Sequence, residues 1–223
     1  HPGPTWPRTG PLTRPTNTPV LPKPRNNTLG SPGASANNFS GSLIITAGIV
    51  SAEKNSALGS VASIAVNSGG GLALAGVSGL TTRVANGAGL TLNGGSLIAS
   101  GTVTETLGAL TLGPITSQFS LGSSGTVQLT FGNSTAQSWS GELDVTGYNS
   151  GVDQLLFTGG LSVSQLGRIV FLDLSGPGSR TAATLVGGTS VVPVPEPSPF
   201  ALLAIGLVFV LRRRPPHQPT TTR

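Results

Sequence analysis

The sequence predicts an all-β fold in which short strands stack as successive coils, a parallel β-solenoid (β-helix). Three observations predict it. Glycine supplies 33 of the 223 residues, while charged residues make up 9% and aromatic residues 4%. So few charges argue against a long solvated helix, and so few aromatics against a compact core of large side chains. Short runs with period-two alternation recur, each bounded by Gly, Ser or Asn, the pattern of strands between tight turns. Their apolar pairs return at an interval of about 20 residues, the mark of a repeat architecture. An antiparallel β-sandwich of short strands is the alternative, because strand length and alternation are the same in both.

Residues 1–36 are rich in Pro, Thr, Asn and Arg and carry no periodicity. They are expected to form a disordered Pro-rich linker. Residues 37–132 form the expected solenoid repeat region. Its strands are read in "SLIITAG" (42–48), "VASIAVNSGG" (61–70), "GLALAG" (71–76), "GLTLNGG" (89–95), "ALTLG" (109–113) and "GTVQLTFG" (125–132). The inward pairs are Leu72/Leu74, Leu90/Leu92, Leu110/Leu112 and Val127/Leu129, at spacings of 18, 20 and 17 residues. They are expected to stack in successive coils, with Gly71, Gly89 and Gly113 near the corners.

Residues 133–190 are less regular and are expected to be a terminal β region capping the solenoid. Trp139, Gly141, Leu143 and Val145 share one parity, and Glu142, Asp144 and Thr146 the other, as in a half-buried strand. Ser162 and Gln165 have the spacing of a capping box, so a single helical turn is expected after Ser162.

The last segment, 191–223, changes character again. Pro195-Glu196-Pro197 and Pro199 precede an uncharged apolar run, 200–211, and Arg212, Arg213 and Arg214 follow it at once. As a helix the run would measure about 18 Å, against a hydrocarbon core of about 30 Å. Arginine side chains lengthen the effective span by snorkelling to the headgroups. The run is therefore read as a transmembrane helix anchored through Phe200, Leu202, Leu203, Ile205, Leu207, Val208, Phe209, Val210 and Leu211. The positive-inside rule places Arg212, Arg213 and Arg214 in the cytoplasm and the β body outside it.

Charge follows the same division. Residues 1–40 hold Arg8, Arg14, Lys23 and Arg25 and no acid, and 191–223 hold Glu196 against Arg212, Arg213, Arg214 and Arg223. The body between them holds Glu53, Glu105, Glu142, Asp144, Asp153 and Asp173 against Lys54, Arg83, Arg168 and Arg180, so it is mildly acidic. A nucleic-acid partner would need a basic folded face with stacking aromatics, so none is expected. The chain begins at His1 and shows no apolar leader there, which reads as a piece of a longer protein.

Catalytic chemistry finds little to work with. The two histidines, His1 and His217, lie in the tails, so a Ser-His-Asp arrangement is not expected in the body. With no cysteine there is no thiol nucleophile or thiolate metal site. No phosphate-binding loop or calcium-binding glycine nonapeptide is present, so no cofactor or metal is expected. The carboxylates are the remaining candidates. Glu142 and Asp144 would share a strand face, a conceivable glycosidase pair, but are read as solvated residues opposite Leu143 and Val145.

Two resemblances sharpen these expectations. Asn38-Phe39-Ser40-Gly41, Thr46-Ala47-Gly48, Ala57-Leu58-Gly59 and Gly70-Gly71-Leu72, in that order within 37–74, resemble the autotransporter-associated β-strand repeat, also called the passenger-associated transport repeat. That likeness implies a right-handed parallel β-helix of a secreted bacterial surface protein. The second is the order Pro195-Glu196-Pro197, apolar run, Arg212–Arg214, which resembles the PEP-CTERM sorting signal of Gram-negative bacteria. It implies recognition by an exosortase, an integral-membrane protease acting near the Pro-Glu-Pro, with transient residence in the inner membrane and release to the cell surface or extracellular matrix. The expected function is that of an exported structural or adhesin-like protein, not an enzyme, with extracellular polysaccharide as a further partner. The rival expectation is the C-terminal part of a carbohydrate-active β-helix enzyme whose active site lies upstream.

Overall fold

The computed structural model describes residues 20–21, 27–29, 40–76, 80 and 82–195, with side chains for 40–74, 80 and 82–195. The chain runs through β1 (Val20–Leu21) and β2 (Asn27–Leu29), β3 (Gly41–Ile45) and β4 (Gly48–Ala52), then β5 (Val61–Asn67) and β6 (Gly70–Gly76). It continues through β7 (Gly89–Asn93), β8 (Ser96–Gly101) and β9 (Val103–Leu107), then β10 (Leu110–Leu112), β11 (Ser117–Leu121) and β12 (Val127–Phe131). Next come β13 (Leu143–Thr146), β14 (Gln154–Phe157), the helical turn α1 (Val163–Leu166) and β15 (Ile169–Leu172), and finally β16 (Arg180–Val186) and β17 (Ser190–Pro193).

These strands wind into a β-solenoid of about five turns with three faces. The first face is the parallel ladder β1-β3-β5-β7-β10, continued by a parallel bridge from Leu112 to Trp139. The second is the parallel ladder β2-β4-β6-β8-β11-β13-β15. The third is β9-β12-β14, also parallel, with a single parallel bridge between Leu58 and Val84 in earlier coils. The sandwich alternative is therefore overturned. Every face is a parallel ladder, and among the described residues antiparallel pairing is confined to β16 and β17 and a single bridge between Asn67 and Gly94.

Alternation decides what fills the interior. On the second face Val50, Leu72, Leu97, Phe119, Val145 and Phe171 stand in register one above another, each at most 2% exposed. Successive members lie 22 to 26 residues apart in the chain. On the first face Ile45, Val66, Leu92 and Leu112 form the matching column. The predicted inward residues are all buried, and Leu90/Leu92 stack on Leu110/Leu112 as expected. The predicted order of stacking is corrected in two places. Leu72/Leu74 belong to the second face and Val127/Leu129 to the third, so spacings of 18 and 17 residues measured steps between faces rather than between coils. Of the three predicted corner glycines, Gly89 opens β7 and Gly113 follows β10, while Gly71 lies within β6.

Aromatic side chains gather toward the C-terminal coils. Phe119, Phe131 and Phe157 stack at centroid distances of 5.5 and 5.0 Å, and Trp139 meets Phe157 edge-on at 6.1 Å. Trp139 Nε1 donates to the Leu110 carbonyl at 2.8 Å, so its polar atom is satisfied where the ring is buried. Corners are tight enough to require glycine. Gly147 has φ +73°, and a Cβ there would stand 1.8 Å from the Leu121 carbonyl oxygen of the coil below.

The expected helical turn forms. Ser162 Oγ accepts the Gln165 N–H at 3.2 Å, and Gln165 Oε1 accepts the Ser162 N–H at 3.0 Å. Gln165 also donates through Nε2 to the carbonyls of Ser134 and Gln137, which fastens the turn to the preceding coil.

The C-terminal end of the solenoid is closed by a hairpin. β16 pairs antiparallel with β15, β17 pairs antiparallel with β16, and β17 also pairs with β14. The hairpin thereby joins the second and third faces into one 12-stranded sheet. It satisfies strand edges that would otherwise be free to recruit another chain. Within 1–36, read from the sequence as a disordered linker, the described residues 20–21 and 27–29 take strand form. β1 and β2 pair in parallel with β3 and β4, where the first full coil offers unpaired backbone groups.

Candidate functional site: sorting segment and solenoid carboxylates

Of the predicted sorting residues only Pro195 is described, two residues past the end of β17. β17 finishes at Pro193, and its Val191 is fully buried. Proline ends the ladder there because it has no N–H to donate. Val194 is 42% exposed and Pro195 is exposed, so the chain leaves the sheet into solvent. Glu196, Pro197, the expected membrane helix 200–211 and Arg212, Arg213 and Arg214 lie outside the described residues. Among the described residues no helix is long and apolar enough to cross a membrane.

Apart from the neighbours Glu142 and Asp144, the six carboxylates of the body are dispersed, and each faces groups of the chain itself. Glu105 points inward on β9 and is fully buried. Its Oε2 and Oε1 accept the backbone N–H groups of Arg83 and Val84, each at 3.0 Å, and the Arg83 guanidinium lies 3.5 Å away. Burial pushes the Glu105 carboxyl above its usual range, against the opposing pull of these partners. Asp153 is 4% exposed and accepts the N–H groups of Val127 at 2.9 Å and Asn149 at 2.7 Å.

Ser117 and Ser134 act similarly. Their hydroxyls accept the N–H groups of Gly94 and Leu110 at 3.0 and 2.9 Å. Side chains of one coil thus complete the backbone bonding of the coil before it at corners and ladder ends.

Glu142 and Asp144 face outward, as expected, on either side of buried Leu143. They do not stand alone in solvent. Arg180, brought over them by β16, hydrogen-bonds Glu142 Oε1 and lies 3.9 Å from Asp144 Oδ1. Partial burial, then the neighbouring Glu142 charge, raises the Asp144 pKa, and Arg180 opposes the rise. Glu53 accepts the Ser51 hydroxyl at 3.0 Å, and Asp173 accepts the Gly178 N–H at 2.6 Å. Among the described residues no group of three or more His, Cys, Asp or Glu could hold a metal ion.

Sequence reasoning missed the Arg83–Glu105 pair and the reach of Arg180. The signal for the first lay in "VTETL", 103–107, where Glu105 has the parity of Val103 and Leu107. Nothing local to Arg180 pointed to Glu142, which is 38 residues away in the chain.

The comparisons with known proteins bear on the sorting segment. Residues 193–214 match the PEP-CTERM protein-sorting motif. The match takes in Pro195-Glu196-Pro197, the apolar run and all three arginines, so the resemblance read from those residues holds. The motif implies processing by an exosortase-type system, with membrane-associated sorting before export to the surface. No curated protein and no solved structure matches the chain. The likeness of 37–74 to the passenger-associated transport repeat finds no support in these comparisons.

Proposed function

We propose that this chain is a structural or adhesin-like surface component of a Gram-negative cell, delivered by an exosortase and left at the cell surface or in the extracellular matrix. The observation that carries the reading is the position of the sorting motif, which begins at the last residue of the strand that closes the solenoid. The body is the cargo and the tail is its address. In this reading 200–211 spans the inner membrane as a helix while Arg212, Arg213 and Arg214 stay cytoplasmic. The solenoid coils right-handed, the hand that parallel crossover connections favour.

A non-enzymatic body fits five of the six carboxylates, whose oxygens already serve the chain's own N–H groups, hydroxyls and Arg180, while Asp144 Oδ1 lies 3.9 Å from Arg180 and makes no hydrogen bond. Extracellular polysaccharide suits the third face, where Thr104, Gln128 and Gln154 stand in register on its outward side. The test is the C-terminus of surface-located protein, read by mass spectrometry in strains with and without the exosortase. Loss of the residues after the Pro-Glu-Pro region only where the enzyme is present is the expected result. Surface protein ending at Arg223 at equal yield in both strains would overturn the reading.

A further inference from the structure

A short motif falls on one corner of the solenoid. Asn133-Ser134-Thr135 has the Asn-x-Ser/Thr spacing of an N-glycosylation acceptor, with no proline at the middle position. The same spacing occurs at Asn26-Asn27-Thr28 and Asn38-Phe39-Ser40, where the asparagine lies outside the described residues. Spacing alone is a weak signal, so the geometry at 133–135 decides.

The three residues follow β12, where the chain turns from the third face toward Trp139 on the first. Ser134 is fully buried, and its hydroxyl accepts the Leu110 N–H at 2.9 Å and donates to the Gly132 carbonyl at 3.0 Å. Its carbonyl accepts the Gln137 N–H at 2.9 Å and Gln165 Nε2 at 2.7 Å. The middle residue is thus fastened to the body, while Asn133 and Thr135 are exposed.

The Asn133 amide is oriented as well. Its Oδ1 accepts the Thr135 N–H at 3.0 Å and the Thr135 hydroxyl at 2.7 Å. A backbone N–H can only donate, so the atom it meets is the oxygen, and the other end of the amide is Nδ2. Among the described residues Nδ2 takes part in no hydrogen bond. Gly159 of the next coil makes room for the side chain, since a Cβ there would stand 2.3 Å from Asn133 Cγ and 2.5 Å from Oδ1. Asn93 lies against Gly113 in the same manner, yet its Oδ1 is buried without a hydrogen bond and no hydroxyl follows two residues on.

We propose that Asn133 is an N-glycan acceptor, presented for transfer by the folded corner. The donor is a glycosyl diphosphate, linked to a nucleoside or to a polyprenyl lipid. Nδ2 bonds to the anomeric carbon of the sugar and gives up one proton. The bond from that carbon to the diphosphate breaks, and the diphosphate leaves with its electron pair. The sugar then stands on an exposed corner, clear of the buried Ser134 that holds the turn.

The experiment supplies the folded full chain to two transferases in parallel. One is soluble, directed to Asn-x-Ser/Thr and given a nucleoside diphosphate sugar. The other is a membrane oligosaccharyltransferase given a polyprenyl diphosphate-linked sugar. A peptide covering 129–139 is the flexible reference, and peptide mass spectrometry reads each asparagine separately. Sugar on Asn133 of the folded chain in either arm, at a rate within several-fold of the peptide, is the expected result, and the arm that succeeds names the donor. Thr135→Ser should keep the transfer and Thr135→Ala should lose it at least tenfold. A modified peptide beside a folded chain bare at Asn133 overturns the proposal. Transfer to Thr135→Ala as fast as to the parent, or no transfer to chain or peptide in either arm, overturns it equally.

Discussion

Arg83 Nη1 lies 3.5 Å from Glu105 Oε2, and both side chains are wholly shut off from solvent inside the solenoid. An ion pair taken out of water does not stabilise a fold by itself, because desolvation offsets the attraction. Here the carboxylate has a second task. It accepts the N–H groups of Arg83 and Val84 from the coil below, replacing the carbonyls that a continuous ladder would have supplied. Burial is the leading influence on both groups, raising the pKa of Glu105 and lowering that of Arg83.

Removing one partner should therefore cost more than the pair contributes. Glu105→Ala is expected to lose about 3–5 kcal/mol, since it strands a buried guanidinium. Arg83→Leu with Glu105→Gln removes both charges and keeps an acceptor oxygen, so it should recover part of that loss. Arg83→Leu with Glu105→Leu leaves two N–H groups unanswered, at about 1–3 kcal/mol each. Urea denaturation would rank the three. Equal stability of the two double variants would mean that Glu105 does not serve the backbone.

The acidic groups also set a pH dependence. An acid whose folded pKa is raised binds its proton more tightly folded than unfolded. Its contribution to stability is greatest below the ordinary carboxylate range and is lost as pH rises through the raised folded value. Glu105 and Asp144 both have this sign. For Asp144 the opposing influence is Arg180. Arg180→Ala should move the Asp144 titration higher and deepen the loss of stability on raising pH. Carboxyl-detected NMR titration of Asp144 gives the answer, and an unmoved midpoint would show that Arg180 does not act on it.

Leu92 tests the core. It is fully buried between Val66 and Leu112 on the first face. Leu92→Ala should cost about 2–5 kcal/mol, and Leu92→Asp more, because it buries a charge without a partner. An unfolding free energy from urea denaturation within about 0.5 kcal/mol of the parent, the range of surface positions, would place Leu92 outside the core.

What the sequence made legible follows from the range over which each signal acts. Alternation is local, so the inward residues Leu90, Leu92, Leu110 and Leu112 and the outward Asp144 could be read from neighbours two apart. The capping box of Ser162 and Gln165 is equally local. Assigning strands to faces is not local. Leu72 and Leu90 alternate identically, yet they sit on different faces, because coils here vary in length and interval alone does not count corners. Strands β1 and β2 escaped notice because two or three residues carry no alternation, and their pairing depends on the edge that β3 and β4 present. The sorting segment was legible throughout, since its three parts are contiguous and need no fold to bring them together.

Gly147 is a second structural test, of the corners rather than the core. It combines a left-handed backbone with a carbonyl so close that no Cβ fits. Gly147→Ala must shift the Leu121 strand end, so its cost should exceed the roughly 1 kcal/mol of an ordinary glycine substitution. Stability equal to the parent would mean that the corner relaxes without strain.

The tail separates insertion from recognition. In the proposed reading, Arg212, Arg213 and Arg214 supply the positive charge that fixes orientation, while Glu196 adds nothing to the apolar run itself. Replacing the three arginines by neutral residues should weaken membrane retention of unprocessed chain, measured by fractionation in a strain lacking the exosortase. Glu196→Ala should leave that retention unchanged and slow maturation in a strain that has the enzyme. The two variants therefore fail in different assays if charge and motif act separately. Loss of retention in Glu196→Ala, or normal orientation without the arginines, would mean that the segment is not divided into an anchor and a recognition site. In that case the address would have to be read from the apolar run alone.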